Sequence, residues 1–224
     1  MLKDFKTVIF DMDGTLTDSN GLWKDIDYAF FTERHIDYPS NLQELIQGKS
    51  ITETAKFYKK NFELKETEDE LINIWNEMAE ESYKKVPLKR GVLELLSYLK
   101  DNGIKMCLAS ANSRELVDVA FKAHNLGDYI KTIITSNEVK RGKPFPDMYL
   151  KAAEDSFSSP KDCLVFEDVL NGLKGAKNAN MTVYCIDDEY SKSDLLKKKE
   201  VADRYLYSYF DLEEIHKLKK DNLL

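Results

Sequence analysis

Short apolar runs alternate with amphipathic stretches along this chain of 224 residues, and that alternation restricts the folds open to it. Five runs rich in β-branched and aromatic residues read as buried strands. They are Thr7-Val8-Ile9-Phe10, Lys105-Met106-Cys107-Leu108-Ala109, Thr132-Ile133-Ile134-Thr135, Cys163-Leu164-Val165-Phe166 and Thr182-Val183-Tyr184-Cys185-Ile186. Arg204-Tyr205-Leu206-Tyr207 is a weaker sixth. Between them Val92, Leu95, Leu96 and Leu99 share one helical face, as do Leu116, Val119 and Ala120, and Leu173 and Ala176 mark another helix. Strands alternating with helices imply parallel βαβ units and an α/β, doubly wound parallel sheet.

Residues 18–86 break the alternation. They contain no convincing strand, but several helical patterns, such as Trp23-Ile26-Asp27-Phe30-Phe31 and Leu71-Ile74-Trp75-Met78, with Glu63, Glu66, Glu68, Asp69 and Glu70 between them. A connection this long carries structure of its own. The expected division is therefore an α/β core of residues 1–17 and 87–224 with an inserted α-helical cap domain at 18–86. Pro87 and Gly91 mark the return to the core. The insertion would sit above the strand ends, where it can act as a lid.

The first strand runs directly into Asp11-Met12-Asp13-Gly14-Thr15. Side chains two apart on an extended chain point the same way, so Asp11 and Asp13 address one small volume. Open α/β sheets bind ligands at the carboxyl ends of their strands. There one carboxylate can act as nucleophile or metal ligand while its neighbour handles a proton. Gly14 allows a tight turn and close approach to an anion.

Later strand ends add complementary chemistry. Ser110 follows the second strand, with Asn112 and Ser113 next. A hydroxyl and free N–H groups at a helix start suit a phosphate, and Ser113 reads as the helix N-cap. Lys143 lies in Arg141-Gly142-Lys143-Pro144-Phe145-Pro146-Asp147, whose prolines stiffen the loop, so its ammonium can neutralise a phosphoryl oxygen. Arg141 reads as solvent-facing. Glu167-Asp168 ends another buried strand, and carboxylates there are costly unless paired or metal-bound. With Asp11 they form a hard oxygen site suited to Mg2+.

A net charge of -7 gives no reason to expect nucleic-acid binding and would repel an anionic membrane. No apolar run reaches membrane-spanning length, and Lys3 and Asp4 precede a strand too short for a secretory signal. Cys107, Cys163 and Cys185 sit in strand-like runs without Cys or His neighbours at ligand spacing. They read as reduced, buried thiols of a cytoplasmic protein. His35, His124 and His216 are scattered and read as surface or core-edge residues. Trp23, Trp75 and Met78 read as cap packing, and the lysines at 197–199, 217, 219 and 220 as solvated helix faces.

The Asp-Met-Asp-Gly-Thr pentad, the strand-end serine, the loop lysine and the acidic pair, in that order, resemble the haloacid dehalogenase superfamily of phosphohydrolases, in its β-phosphoglucomutase-like phosphatase group. The resemblance implies a Rossmann-like core with a helical cap of the C1 type. It implies that Asp11 is the nucleophile, forming an aspartyl phosphate, and that Asp13 protonates the leaving alcohol and then activates water. It implies Mg2+ held by Asp11, the Asp13 carbonyl and Asp168, with Glu167 assisting. Ser110 and Lys143 would hold the phosphoryl oxygens, with Gly14 and Thr15 shaping the loop around them. Asn20, Lys49 and Asn112 are candidate substrate contacts. The substrate is then a small phosphorylated metabolite, a sugar phosphate among the options, and a monomer suffices because the cap shields the site.

Asp13 separates the chain from the dehalogenase and phosphonate-cleaving branches of that superfamily. A phosphosugar mutase is the alternative enzyme: Gly48-Lys49-Ser50 is followed by Ile51 where a mutase carries an arginine, and Trp23 stands where it carries a cap histidine, but Lys49 could bind the second phosphate instead. Val169 stands where relatives often carry serine. A non-catalytic phosphate-ligand-binding protein is the third reading.

Overall fold

Every residue of Thr7–Phe10 (β1) is buried, as cover on both faces requires of a central parallel strand. The computed structural model describes residues 2–46 and 49–221. Five more strands join β1: β2 (Lys105–Ser110), β3 (Thr132–Thr135), β4 (Cys163–Glu167), β5 (Thr182–Ile186) and β6 (Arg204–Leu206). All pair in parallel, in the order β3-β2-β1-β4-β5-β6. The α/β doubly wound sheet is thus present. β2 and β4 each run one residue past the sequence reading, taking in Ser110 and Glu167, and β6 stops before the exposed Tyr207.

Among the described residues, four helices lie between β1 and Pro87: α1 (Asn20–Glu33), α2 (Leu42–Ile46), α3 (Ile51–Asn61) and α4 (Glu68–Tyr83). Capping boxes start two of them, Ser50 with Glu53 on α3 and Thr67 with Glu70 on α4. Six more helices follow: α5 (Val92–Asp101), α6 (Arg114–His124), α7 (Asp147–Asp155), α8 (Leu170–Asn178), α9 (Leu195–Val201) and α10 (Glu213–Asp221). Among the described residues none is long and apolar enough to cross a membrane.

Side chains alternate across the sheet. Val8, Phe10, Leu108, Leu164 and Phe166 face a cluster with Leu95 and Leu99 of α5 and Leu116 of α6. Ile9, Cys107, Val165 and Val183 face Tyr149 and Ala152 of α7 and Leu173 and Ala176 of α8. All three cysteines are free and buried. The first cluster continues into the inserted helices through Phe30, Phe31, Tyr58 and Trp75. The chain leaves and re-enters the sheet at one place, where Asp18 N–H donates to the Pro87 carbonyl at 2.8 Å.

One helix-face reading is corrected. Lys198 is not solvated but fully buried. Its Nζ donates to the Asp168 carbonyl and to Ser191 Oγ, both at 2.8 Å. Lys197, Lys199 and Lys217 are exposed, as read. Gly48 and the side chains of Lys219 and Lys220 lie outside the described residues.

Strand order reverses at β1: the chain first builds outward through β2 and β3, then returns to add β4, β5 and β6 on the other side. The crevice at the carboxyl ends of β1, β2 and β4 is where such a sheet binds its ligand.

Candidate active site

Asp11 extends the β1–β4 ladder by one bond, its N–H donating to the Phe166 carbonyl at 3.0 Å. Its side chain thereby reaches Lys143, whose Nζ donates to Asp11 Oδ1 at 2.5 Å and also to Glu167 Oε1. The three groups are almost wholly buried. Lys143 arrives from the loop before α7. Tyr149 of α7 donates to Glu167 Oε1 at 2.9 Å, while Asp168 N–H and Val169 N–H donate to Oε2 at 3.0 and 3.1 Å. Glu167 therefore receives four protein donors, about the full capacity of a carboxylate.

The turn after Asp11 is tight. The N–H groups of Leu16 and Thr17 both donate to the Met12 carbonyl at 2.9 Å. Gly14 takes φ +78°, and a Cβ there would stand 2.1 Å from Asn20 Nδ2 and 2.4 Å from Asp168 Oδ2. Glycine is required for both reasons, the left-handed backbone and the close approach. Gly172, one turn into α8, is required only for space, since a Cβ there would lie 2.0 Å from Glu167.

Asp13 points into a cage of donors. Ser19 Oγ (2.5 Å) and the Tyr83 hydroxyl donate to Oδ1, and Asn112 Nδ2 donates to Oδ2 at 3.1 Å. Trp23 Nε1 donates to the Tyr83 oxygen at 2.7 Å, so the last residue of α4 connects α1 to Asp13. Burial raises the Asp13 pKa and the donors from Ser19, Tyr83 and Asn112 oppose it, with a net rise.

Asp168, fully buried at the start of the turn into α8, accepts from Thr15 Oγ1 at 3.2 Å and from Asn20 Nδ2 at 2.9 Å. Asn20 also donates to Asp188 Oδ1 at 3.0 Å, and Asp188 is neutralised by Lys89 Nζ at 2.6 Å. Burial first, then the charges of Glu167 and Asp11, push the Asp168 carboxyl well above its ordinary range. Asp11 is raised by the same combination of burial and the neighbouring carboxylates Glu167 and Asp13, against the pull of Lys143. Burial pulls the Lys143 ammonium down, but Asp11 and Glu167 outweigh it and hold it well above the usual lysine range.

Carboxylate oxygens of Asp11, Glu167 and Asp168 lie within 4.8 Å of one another. With all three ionised, the Lys143 ammonium would leave two negative charges uncompensated in a buried space, which is why the Asp11 and Asp168 carboxyls are pushed up. A divalent cation with oxygen preference complements that set.

A cavity of about 600 Å3 opens over these groups, and its wall includes Asp11, Asp13, Asn20, Asn112, Lys143 and Asp168. The exposed Lys49 lies further along it. Ser110, Gly14, Thr15 and Glu167 are buried around this mouth rather than on its wall. Ser110 Oγ accepts from Asn112 N–H at 3.1 Å, and Ser113 caps α6 by accepting from Leu116 N–H. Arg141 is solvent-facing and paired with Asp147. His35 and His216 are exposed, and the half-buried His124 bonds the Val86 carbonyl, all away from the cavity.

Sequence reasoning missed Tyr83, Tyr149, Asp188 and Lys198. For Asp188 the signal was present, because Asp187-Asp188 follows a buried strand as Glu167-Asp168 does. The others carry no local signal.

Comparison with known proteins gives the family. The model of the haloacid dehalogenase-like hydrolase family matches residues 8–186. A Drosophila melanogaster protein named "Probable pseudouridine-5'-phosphatase" is 30% identical over 199 residues, 84% of this chain and 84% of that protein. The "Phosphorylated carbohydrates phosphatase" of Thermotoga maritima is 29% identical over 180 residues, 79% of this chain and 82% of that protein. In fold, the crystal structure of CbbY from Rhodobacter sphaeroides in complex with phosphate matches with a TM-score of 0.84 at 21% identity, over 95% of this chain and 99% of that one. With its pentad, loop lysine and acidic pair converging on one crevice, this chain belongs to the haloacid dehalogenase-like hydrolases, in their β-phosphoglucomutase-like phosphatase group.

Proposed function

We propose that this phosphatase hydrolyses a small phosphomonoester, a sugar phosphate among the candidates, in a Mg2+-dependent reaction through phosphorylated Asp11. The observation that carries the reading is the convergence of Asp11, Lys143, Glu167 and Asp168 in one buried, negatively charged mouth. Asp11 attacks phosphorus as the bond to the leaving alcohol breaks, and Asp13 gives that oxygen its proton. Asp13 then takes a proton from water, whose oxygen attacks phosphorus and frees Asp11 and inorganic phosphate. Lys143 offsets charge on the phosphoryl oxygens. Ser110 Oγ accepts from Asn112, which leaves its O–H to donate to a phosphoryl oxygen.

Asp11, the Asp13 carbonyl and Asp168 would hold the Mg2+, which supplies charge neutralisation where a carboxylate meets a phosphate dianion. Glu167 would assist from beside the metal, a reading supported by the four protein donors that already bond its carboxylate. Asn20 likewise acts by holding Asp168 and Asn112 by holding Asp13, while Lys49 remains a candidate contact on the cavity wall.

Residues 18–86 would form the cap and residues 1–17 and 87–224 the core, with the Asp18–Pro87 crossing as the joint. Against a mutase, the buried Ile51 lines the cavity where a second phosphate would need an arginine. Net charge and a self-covering cap support a monomer without nucleic-acid partners. The test is release of inorganic phosphate from a panel of monoesters. EDTA should abolish it and Mg2+ restore it, and Asp11→Asn should remove it with the circular dichroism spectrum intact. Undiminished release by Asp11→Asn would falsify the nucleophile assignment.

A further inference from the structure

The cavity runs on from the carboxylates into α1–α4, and its far wall carries polar groups that the phosphoryl chemistry does not use. Asn20, Trp23 and Asp27 of α1 all line it, at positions that share one helical face. At a rise of 1.5 Å per residue, Asp27 lies ~10 Å along the helix from Asn20, which bonds Asp168. The wall is thus a path from the reacting centre to Asp27.

Asp27 is 5% exposed. It accepts from the Tyr58 hydroxyl on Oδ1 and from Gln43 Nε2 at 2.7 Å on Oδ2. Both are neutral donors, and each oxygen keeps a lone pair. Trp75 of α4 is part of the same wall and 2% exposed. Its indole Nε1–H is the one buried side-chain polar group without a hydrogen-bond partner among the described residues. Native interiors rarely leave such a donor unpaired without a reason. The cations on this wall, Lys24 and Lys49, are exposed.

We infer that this wall is a leaving-group subsite for a neutral ring bearing hydrogen-bond donors and acceptors, with Asp27 accepting from a hydroxyl or N–H and Trp75 Nε1–H donating to an oxygen. The inference rests on the phosphatase reading of the Asp11 site. A second phosphate or a carboxylate at the far end would meet the buried Asp27 carboxylate, which disfavours anionic leaving groups. A two- or three-carbon leaving group is too short to reach from the reacting centre to Asp27. Sugars and nucleosides both meet the requirement.

The experiment measures kcat and KM with Mg2+ for glucose 6-phosphate and uridine 5'-monophosphate, against glycerol 3-phosphate (short) and 6-phosphogluconate (anionic). One ring ester should exceed both controls at least tenfold in kcat/KM, and which one does so separates sugar from nucleoside. Asp27→Asn keeps the side-chain shape and removes the acceptor charge; Trp75→Phe removes the N–H together with part of the buried indole, so its fold is checked by circular dichroism. Each should bring the ring preference to within threefold of unity, mainly through KM. A wild-type preference for a control, or variants that keep the wild-type ratio, overturns the subsite. Calorimetric titration of Asp11→Asn with the same esters separates the two readings. If nothing is hydrolysed by the wild type, tenfold weaker ring-ester binding on adding Asp27→Asn still supports the subsite, while equal or absent binding overturns it.

Discussion

At the scale of single residues, Asp27 and Lys198 show buried charge used in two ways. Burial pushes Asp27 up to about 6 despite the bonds from Tyr58 and Gln43. The folded protein therefore holds this proton more tightly than the unfolded chain. Stability from the group is complete below the ordinary aspartate range and is lost as pH rises from about 4 through about 6, a loss on the order of 2–3 kcal/mol. Asp27→Asn does not titrate, so urea unfolding should show the variant gaining on the wild type by that amount across the window. A constant difference would mean that Asp27 titrates normally. Lys198 instead braces the Asp168 backbone together with Ser191. Groups behind a metal ligand commonly control affinity or activity by 10–100-fold. Lys198→Met should raise the Mg2+ concentration giving half-maximal phosphate release at least tenfold, as a Mg2+ titration would reveal.

Among secondary-structure elements, the inserted helices are held by aromatic packing more than by polar contacts. Phe31 is fully buried and meets Phe30, Tyr38, Tyr58 and Phe62 with ring centroids 4.8–5.8 Å apart. Phe31→Ala removes these contacts and leaves a cavity, for an expected loss of about 3–5 kcal/mol, measurable by chemical denaturation. The sequence reading recovered all six strands, most clearly the four central ones, which are buried on both faces and so read as unbroken apolar runs. It recovered the α1 and α4 patterns because both helices are long enough to repeat their period. α7 escaped it. Asp147–Asp155 is nine residues long and follows a proline-rich loop, leaving little repeat to read. Yet α7 delivers Tyr149 to Glu167.

For the whole molecule, the arrangement of helices over the strand ends has a dynamic consequence. The backbone crosses between the sheet and the inserted helices beside the Asp18–Pro87 bond, while α3 meets the sheet side through Ile51 N–H on the Ala111 carbonyl at 3.2 Å. A lid hinged at the first contact and closing over a ligand should order the cavity-lining helices. Adding Mg2+ with orthovanadate should slow amide exchange in Asn20–Glu33 and Leu42–Ile46 and leave β1 and β4, already buried, unchanged. Identical exchange with and without the ligands would argue for a rigid cover.

Polar residues placed at or near the strand ends were legible in the sequence. A carboxylate straight after an apolar strand is conspicuous, and the order of Asp11, Ser110, Lys143 and Asp168 along the chain narrows the chemistry. The parallel sheet was legible for the same reason, since burial on both faces writes itself into local composition. What local sequence cannot express is the meeting of groups far apart in the chain. Lys198 belongs to a lysine-rich helix that reads as solvated, and only docking of α9 against the Asp168 turn buries it. Glu167 reads as one of an acidic pair, and only folding brings Lys143 and Tyr149 to it. Asp27 and Trp75 read as ordinary members of amphipathic helices, and only the packing of α1 against α4 places them on one cavity wall. Strand ends are set by covalent neighbours, whereas partners, burial and cavity walls are set by which distant surfaces exclude water together.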